Sequence, residues 1–296
     1  MEFIGGPSFP AQTDIRVRQA DLGRDGSVST IGMARWLEDA RIRVQMPRFK
    51  RIVNSGNFVP FSIFLASQNV QRLESVSRTE LDIQVHTGIR RIGRTSFTYE
   101  QSVLVDNKRT GGGGATVVLL GTAGPLALPH ELITDLTDLQ MPELSQTPAL
   151  RPGAERSERD HYTYFAPLRA RIGDVDSNQH VNFIALTTWY DEAVAAFTSD
   201  AVGADEGSLV PDLPPWSYRI QYTGEVTYPG TFEVGLVVRT FDAASVHYEL
   251  GVFRSDICLG TADAIGARGD LPEKFLKAYQ SESLEDRFLS GPADQA

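Results

Sequence analysis

The feature that most constrains this chain is that its two halves repeat one another. The segment DIRVRQADLGRDGSVSTIGMARWLEDAR, starting at Asp14, aligns without a gap with PLRARIGDVDSNQHVNFIALTTWYDEAV, starting at Pro167. Arg16 meets Arg169, Arg18 meets Arg171, Asp21 meets Asp174, Val28 meets Val181, Ile31 meets Ile184, Trp36 meets Trp189 and Ala40 meets Ala193. The order of structural signals matches as well. Each copy opens on an alternating, strand-like stretch and passes through a polar, turn-rich run, GRDGS or DSNQH. Each then enters a segment of roughly four turns with apolar residues at helical spacing. In the second copy that face is Val181, Ile184, Ala185, Trp189 and Ala193, with Asn178 or Asn182 as the candidate N-cap; in the first copy Ser27 or Ser29 serves.

The correspondence continues downstream. Glu74 aligns with Glu225, Tyr99 with Tyr248 and Glu100 with Glu249. After its helix each half reads as several alternating strands: NVQRLE, TELDIQVHTGI, SFTYEQSVLV and ATVVLLGTA in the first, RIQYTGEV, TFEVGLVVRTF, SVHYELGVF and ICLGTADAIGA in the second. One strand, a long helix and four strands, twice over, is an α+β pattern, in which an antiparallel sheet offers one apolar face to the helix. The boundaries expected are 1–137 for the first domain, 138–160 for a Pro-rich polar linker and 161–296 for the second. The glycines Gly111–Gly114 read as a hairpin connection. They lack the Lys-Ser/Thr of a phosphate loop and precede no helix.

Charge and composition narrow the function. The net charge of −10 and pI near 5.0 argue against a nucleic-acid partner. The basic run Arg41, Arg43, Arg48, Lys50 and Arg51 reads best as the cationic end of a helix, complementing its dipole. No apolar run is long enough for a membrane span, and the N-terminus lacks the pattern of a signal peptide, so a cytoplasmic location is expected. The single cysteine, Cys258, excludes an intrachain disulfide and reads as a buried small hydrophobe. The five histidines form neither HxxxH nor HExxH, so no metal is expected, and no cofactor.

The run Asp174-x-Asp176-x-Asn178-x-His180-Val181-Asn182, leading into a helix that carries Asp191-Glu192, resembles the signature of hotdog thioesterases of the 4-hydroxybenzoyl-CoA type. It is closest to the double-hotdog fatty acyl-ACP thioesterases. In that family a later Glu stands on a strand of the same hotdog, and Glu225 has a similar context. The resemblance implies two tandem hotdog folds, each a sheet wrapped around a long helix, paired within one chain. It implies hydrolysis of acyl-CoA or acyl-ACP thioesters. Asp176, Asn178, His180 and Glu225 would be the catalytic residues, with Val181 and Asn182 against substrate. The chain departs from the pattern in two places: Val226 stands where the plant-type enzymes carry a Cys, and Phe183 where they carry a second Asn. The first copy aligns Gly23, Asp25 and Ser27 with Asp176, Asn178 and His180, which implies one active site per chain.

Thioester hydrolysis needs an attacking water or carboxylate and donors for the developing oxyanion, which a helix N-terminus supplies. Asp176 suits the role of nucleophile or of general base, and the sequence leaves both open. Asn178 suits orientation of the water or the carbonyl, and His180 suits orientation, donation or base work. Glu225 would position the water or the His180 tautomer. A hotdog enoyl-thioester hydratase or dehydratase, and a non-catalytic acyl-thioester-binding protein, are the alternative readings. Further association into a homodimer is left open by the sequence.

Overall fold

The computed structural model describes residues 9–56, 61–78, 82–141, 153–176, 179–205 and 213–281. The first half comprises β1 (Ala11–Ile15), α1 (Thr30–Ser55), β2 (Ser62–Arg72), β3 (Ile83–Ile92), β4 (Ser96–Val105), β5 (Lys108–Gly121), the two-residue β6 (Gly124–Pro125) and α2 (His130–Thr137). The second comprises β7 (Tyr164–Arg169), α3 (Phe183–Ala201), β8 (Ser217–Tyr222), β9 (Thr231–Phe241), β10 (Ser245–Arg254), β11 (Ile257–Ala267) and α4 (Glu273–Ala278). The expected strand–helix–four-strand order is present twice.

All the named strands join one antiparallel sheet in the order β1-β3-β4-β5-β2-β8-β11-β10-β9-β7, with β6 beside β5. Read outward from its centre, the sheet repeats the same succession in both directions. The seam is β2 against β8, with Ser67 opposite Gln221 and Asn69 opposite Arg219. Pairing these strands satisfies two edges that isolated hotdogs would leave open. The long helices lie against this sheet. Trp36 and Leu37 of α1 and Trp189, Tyr190 and Val194 of α3 are buried in a cluster that spans both halves.

Local chemistry explains the elements. Ser29 Oγ accepts the Gly32 amide at 2.9 Å and Asn182 Oδ1 accepts the Ile184 amide at 2.7 Å, so these two of the candidate caps open the helices. Helix α1 is 26 residues long, well beyond the expected four turns, and contains Pro47. Proline cannot donate to the carbonyl one turn back, and the Arg48 guanidinium serves the neighbouring Val44 carbonyl. The helix stops where Gly56 takes φ 71°. Two-residue turns close the β4–β5 hairpin, with Asp106 and Asn107 at φ 48° and 63°.

Two sequence expectations are revised, for the glycine run and for Cys258. The glycines Gly111–Gly114 lie within β5, and the hairpin connection is Asp106–Asn107. The glycines permit close packing of α1: a Cβ at Gly111 would sit 2.3 Å from Met33 Sδ, and one at Gly113 would sit 2.9 Å from Leu37 Cδ1 and 2.1 Å from the Asn69 carbonyl. Gly113→Val is therefore expected to cost about 3 kcal/mol by overpacking, readable as a lowered urea midpoint at unchanged slope. The basic run lies along the C-terminal half of α1. Arg43 pairs with Asp39 at 2.8 Å, Arg51 with Asp135 at 2.7 Å, and Arg41 is buried. Cys258 is only partly buried, beside Tyr162 and Phe253. Of the expected linker, residues 142–152 lie outside the described residues, whereas 153–161 fold as two short 3-10 turns against the second half.

The two short helices α2 and α4 were not expected. They close each half in the same way. Ile89 donates to the Leu139 carbonyl and Val238 to the Tyr279 carbonyl, while Leu132, Leu136 and Leu276 are buried beneath. Among the described residues no helix is long and apolar enough to cross a membrane.

Candidate active site

The polar run before each helix folds as the same small hairpin. In the second half the Asp176 amide donates to the His180 carbonyl at 2.9 Å and the Gln179 amide to the Asp176 carbonyl at 3.1 Å. Val181 donates to Val226 at 2.8 Å and Asn182 to Asp174 at 2.7 Å. In the first half Gly23 donates to Ser27, Gly26 to Gly23, Val28 to Val76 and Ser29 to Asp21. The aspartates that open the two loops brace them: Asp21 Oδ2 accepts the Arg18 amide at 2.9 Å, and Asp174 Oδ2 accepts the Arg171 amide at 2.9 Å.

The copies differ at the bend. The first half uses Gly26 at φ 78°, a conformation free to glycine; the second holds Gln179 at φ 68°. A non-glycine residue in that region stores strain, and strain of this kind gathers at functional sites. Gln179→Gly is expected to raise stability by about 1 kcal/mol in chemical denaturation; an unchanged midpoint would show that the bend is relaxed as it stands.

The backbone pairing decides which side chains meet. Residues 180–181 run antiparallel to 226–227, with His180 bridged to Thr227. Glu225 precedes that bridge and lies three residues beyond the end of β8, in the loop and not on the strand. His180 Nε2 accordingly lies 3.3 Å from Glu225 Oε2. The Glu225 side chain keeps 55% of its exposure while that of His180 is mostly covered, partly by Phe64 of β2, whose ring centre is 6.1 Å away. Asp176 is half-buried, and cross-strand pairing puts it on the same face of the hairpin as His180. Its charge also reaches Glu38 of α1. Burial pushes the Glu38 carboxyl up, Arg41 opposes that, and Asp176 adds to it.

Asn178 lies outside the described residues. The Val181 side chain is buried in the core cluster, and Asn182 spends its oxygen on the helix cap. The structure thus brings Asp176, His180 and Glu225 to the opening of α3, where backbone N–H groups lack intrahelical acceptors. In the first half the corresponding glutamate, Glu74, is instead paired with Lys108 at 2.7 Å. Phe64 and Glu38, which the other half contributes, were not found from sequence. Nothing in the spacing of either residue marks it. A surface groove of about 540 Å³ borders the same helix end between α1 and α3; Arg18, Arg35, Arg171 and Glu38 line it. Among the described residues no cluster of three or more His, Cys, Asp or Glu is arranged to hold a metal ion.

No protein-family model matches the chain, and no curated protein sequence matches it. Solved structures do resemble it along most of its length. A protein assigned as an oleoyl thioesterase from Lactobacillus plantarum superposes with a TM-score of 0.69 at 13% identity, covering 90% of this chain and 98% of its own. The 12:0-ACP thioesterase of Umbellularia californica gives 0.66 at 14% identity, with 88% and 98% covered. An acyl-ACP thioesterase from Bacteroides thetaiotaomicron gives 0.64 at 15% identity, with 86% and 97% covered. What such low identity establishes is architecture: like these proteins, the chain is a double hotdog, two sheet-wrapped helices fused in one polypeptide.

Proposed function

We propose that this protein hydrolyses acyl thioesters of CoA or of an acyl carrier protein, using one site at the N-terminus of α3. The observation that carries this reading is the asymmetry between two otherwise matching loops. In one, Asp176, His180 and Glu225 converge on a helix N-terminus. In the other, the same positions hold Gly23 and Ser27, and the glutamate is neutralised by Lys108. Capping and packing needs are met in both, so they do not explain Asp176 and His180, which are found only in the second. The proteins that share the fold over most of its length carry thioesterase descriptions, which agrees with this chemistry.

In this reading the thioester carbonyl sits at the opening turn of α3, whose N–H groups stabilise the oxyanion. The Asp176 carboxylate activates the attacking group. Glu225 holds the His180 ring by its Nε2, and Asn178 orients water or carbonyl. The thiolate is a good leaving group and needs little acid assistance.

The test is thiol release from a panel of acyl-CoA and acyl-ACP thioesters by the intact protein. Stoichiometric free thiol and free acid support the reading. Loss of the double bond from an enoyl thioester without thiol release would assign a hydratase instead, and binding without turnover would make the protein a carrier of thioesters.

A further inference from the structure

Four arginines line the groove of about 540 Å³ between α1 and α3, Arg18 and Arg35 from the first half and Arg169 and Arg171 from the second. Arg18 and Arg171 hold the same place in the repeat. Each braces its loop through the backbone N–H alone, which any residue but proline supplies. The side chains are not needed for that bracing. Arg18 reaches Asp21 at 3.4 Å, and among the described residues the Arg169 and Arg171 guanidinia form no ion pair. Two arginines kept at matching positions, with their side chains free to face one groove, point to a ligand that touches both halves.

The carboxylates of the groove are largely engaged. Asp39 pairs with Arg43 at 2.8 Å, Asp174 accepts the Arg171 amide, and burial pushes the Glu38 carboxyl up; Glu192 remains. The chain as a whole carries a net charge of −10. A field of that sign repels a large acidic partner, whereas a local set of guanidinia holds a compact anion, and their forked donors match phosphate. The groove also has an apolar wall. Ile42 of α1 lines it and is 45% exposed. Guanidinia beside an uncovered apolar side chain suit a ligand that joins phosphates to a flat ring.

The position agrees. Asp174 and Asn182 line the groove, and they are the two ends of the hairpin that presents Asp176 and His180, joined by the Asn182 amide to the Asp174 carbonyl at 2.7 Å. Glu38 lines it as well, and the charge of Asp176 reaches Glu38. The groove thus opens beside the residues that would act on the thioester, on the side where the thiol arm would lie.

Resting on the thioesterase reading, we propose that this groove receives the nucleotide end of CoA, with Arg18 and Arg171 on its phosphates and Ile42 against its base, so that the substrate is an acyl-CoA and not an acylated carrier protein. The test compares acyl-CoA, acyl-pantetheine, which lacks the nucleotide, and acyl carrier protein, all bearing one acyl group. The parental protein is set against a variant carrying both Arg18→Gln and Arg171→Gln. The parental kcat/KM is expected to be highest for acyl-CoA, about thirtyfold above acyl-pantetheine and through KM, and the double variant to lower that ratio about tenfold. Salt at about 0.5 M should lower it in the same way. Arginines that only shaped the fold would, on removal, slow both substrates together and leave the ratio unchanged. The nucleotide half of CoA, 3′-phospho-ADP, should raise the Tm of the parental protein more than that of the variant. An unchanged ratio, or a preference for the carrier protein, would overturn the proposal. Equal hydrolysis of acyl-CoA and acyl-pantetheine would also overturn it while leaving the hydrolase reading in place. If no thioester released thiol but 3′-phospho-ADP still stabilised the parental protein over the variant, the groove site would stand and the hydrolase reading would fall.

Discussion

Asp176→Asn is expected to lower kcat for acyl-thioester hydrolysis by about a thousandfold while leaving KM nearly unchanged. The substitution is close to isosteric. The hairpin that presents residue 176 is held by backbone bonds, Asp176 N–H to the His180 carbonyl and Gln179 N–H to the Asp176 carbonyl, and both survive it. The Asn182 cap and the bracing of Asp174 on the Arg171 amide are also untouched, so the α3 N-terminus keeps its geometry. Only the carboxylate's ability to attack or to take a proton is lost, and that loss falls on the transition state. His180→Ala should cost less, about a hundredfold, because it removes an orienting group. Glu225→Gln should cost least, since Glu225 is half-exposed and acts through His180. A competing carboxylate exists: Glu38 lies within the influence of Asp176, and burial pushes its carboxyl up. If Asp176→Asn cleaved thioesters at the parental rate and Glu38→Gln did not, the chemistry would belong to α1 and the assignment of Asp176 would be wrong.

How much of this was legible in sequence follows from what each signal measures. Hydrophobic periodicity and the matched order of loop, helix and strands reveal a duplicated α+β unit, because they report local burial, and local burial is what a repeat preserves. The length of α1 was not legible. Pro47 reads as a stop, yet α1 runs through it to Ser55. Gly111–Gly114 read as a turn because composition cannot tell a flexible connection from a strand flattened to admit Met33 and Leu37. The site was legible as far as it is contiguous: Asp176 and His180 are four residues apart on one hairpin. Glu225 was placed through the repeat, but on a strand, whereas it stands in the loop beyond β8. Phe64, Glu38 and Arg41 come from the other half of the chain, across the seam. Arg41 was read as part of the cationic end of a helix, since a sequence shows the spacing of charges but not the side of the helix that faces the sheet.

The second large effect concerns stability. Glu249 on β10 is only 3% exposed, and its carboxylate accepts His161 at 2.7 Å and also pairs with Arg239. Arg156 lies 3.9 Å away and holds Asp263 at 3.1 Å and the Ala262 carbonyl at 2.6 Å. This network ties the returning chain at 153–162 to the second half of the sheet. The aligned residue of the first half, Glu100, pairs with Arg90 at 3.4 Å, and burial pushes its carboxyl up. Burial acts on Glu249 in the same direction, but the His161 hydrogen bond and the Arg156 and Arg239 charges outweigh it and hold the carboxyl below its ordinary value; Asp263 is held down in the same way by His247 and Arg156. Glu249→Ala leaves Arg156 buried with half its compensation and is expected to cost about 3–5 kcal/mol, a fall in Tm of roughly 10 °C. A carboxyl whose folded pKa is depressed contributes stability that is present above its unfolded value, near 4.3, and is lost as pH falls through the folded value. The Tm difference between the parental protein and Glu249→Ala should therefore be full near neutrality and shrink in acid, where the parental carboxyl too becomes neutral beside Arg156. A difference that held constant into the acid range would mean that Glu249 stabilises the protein by packing and not by charge, and the docking of 153–162 would then need another source.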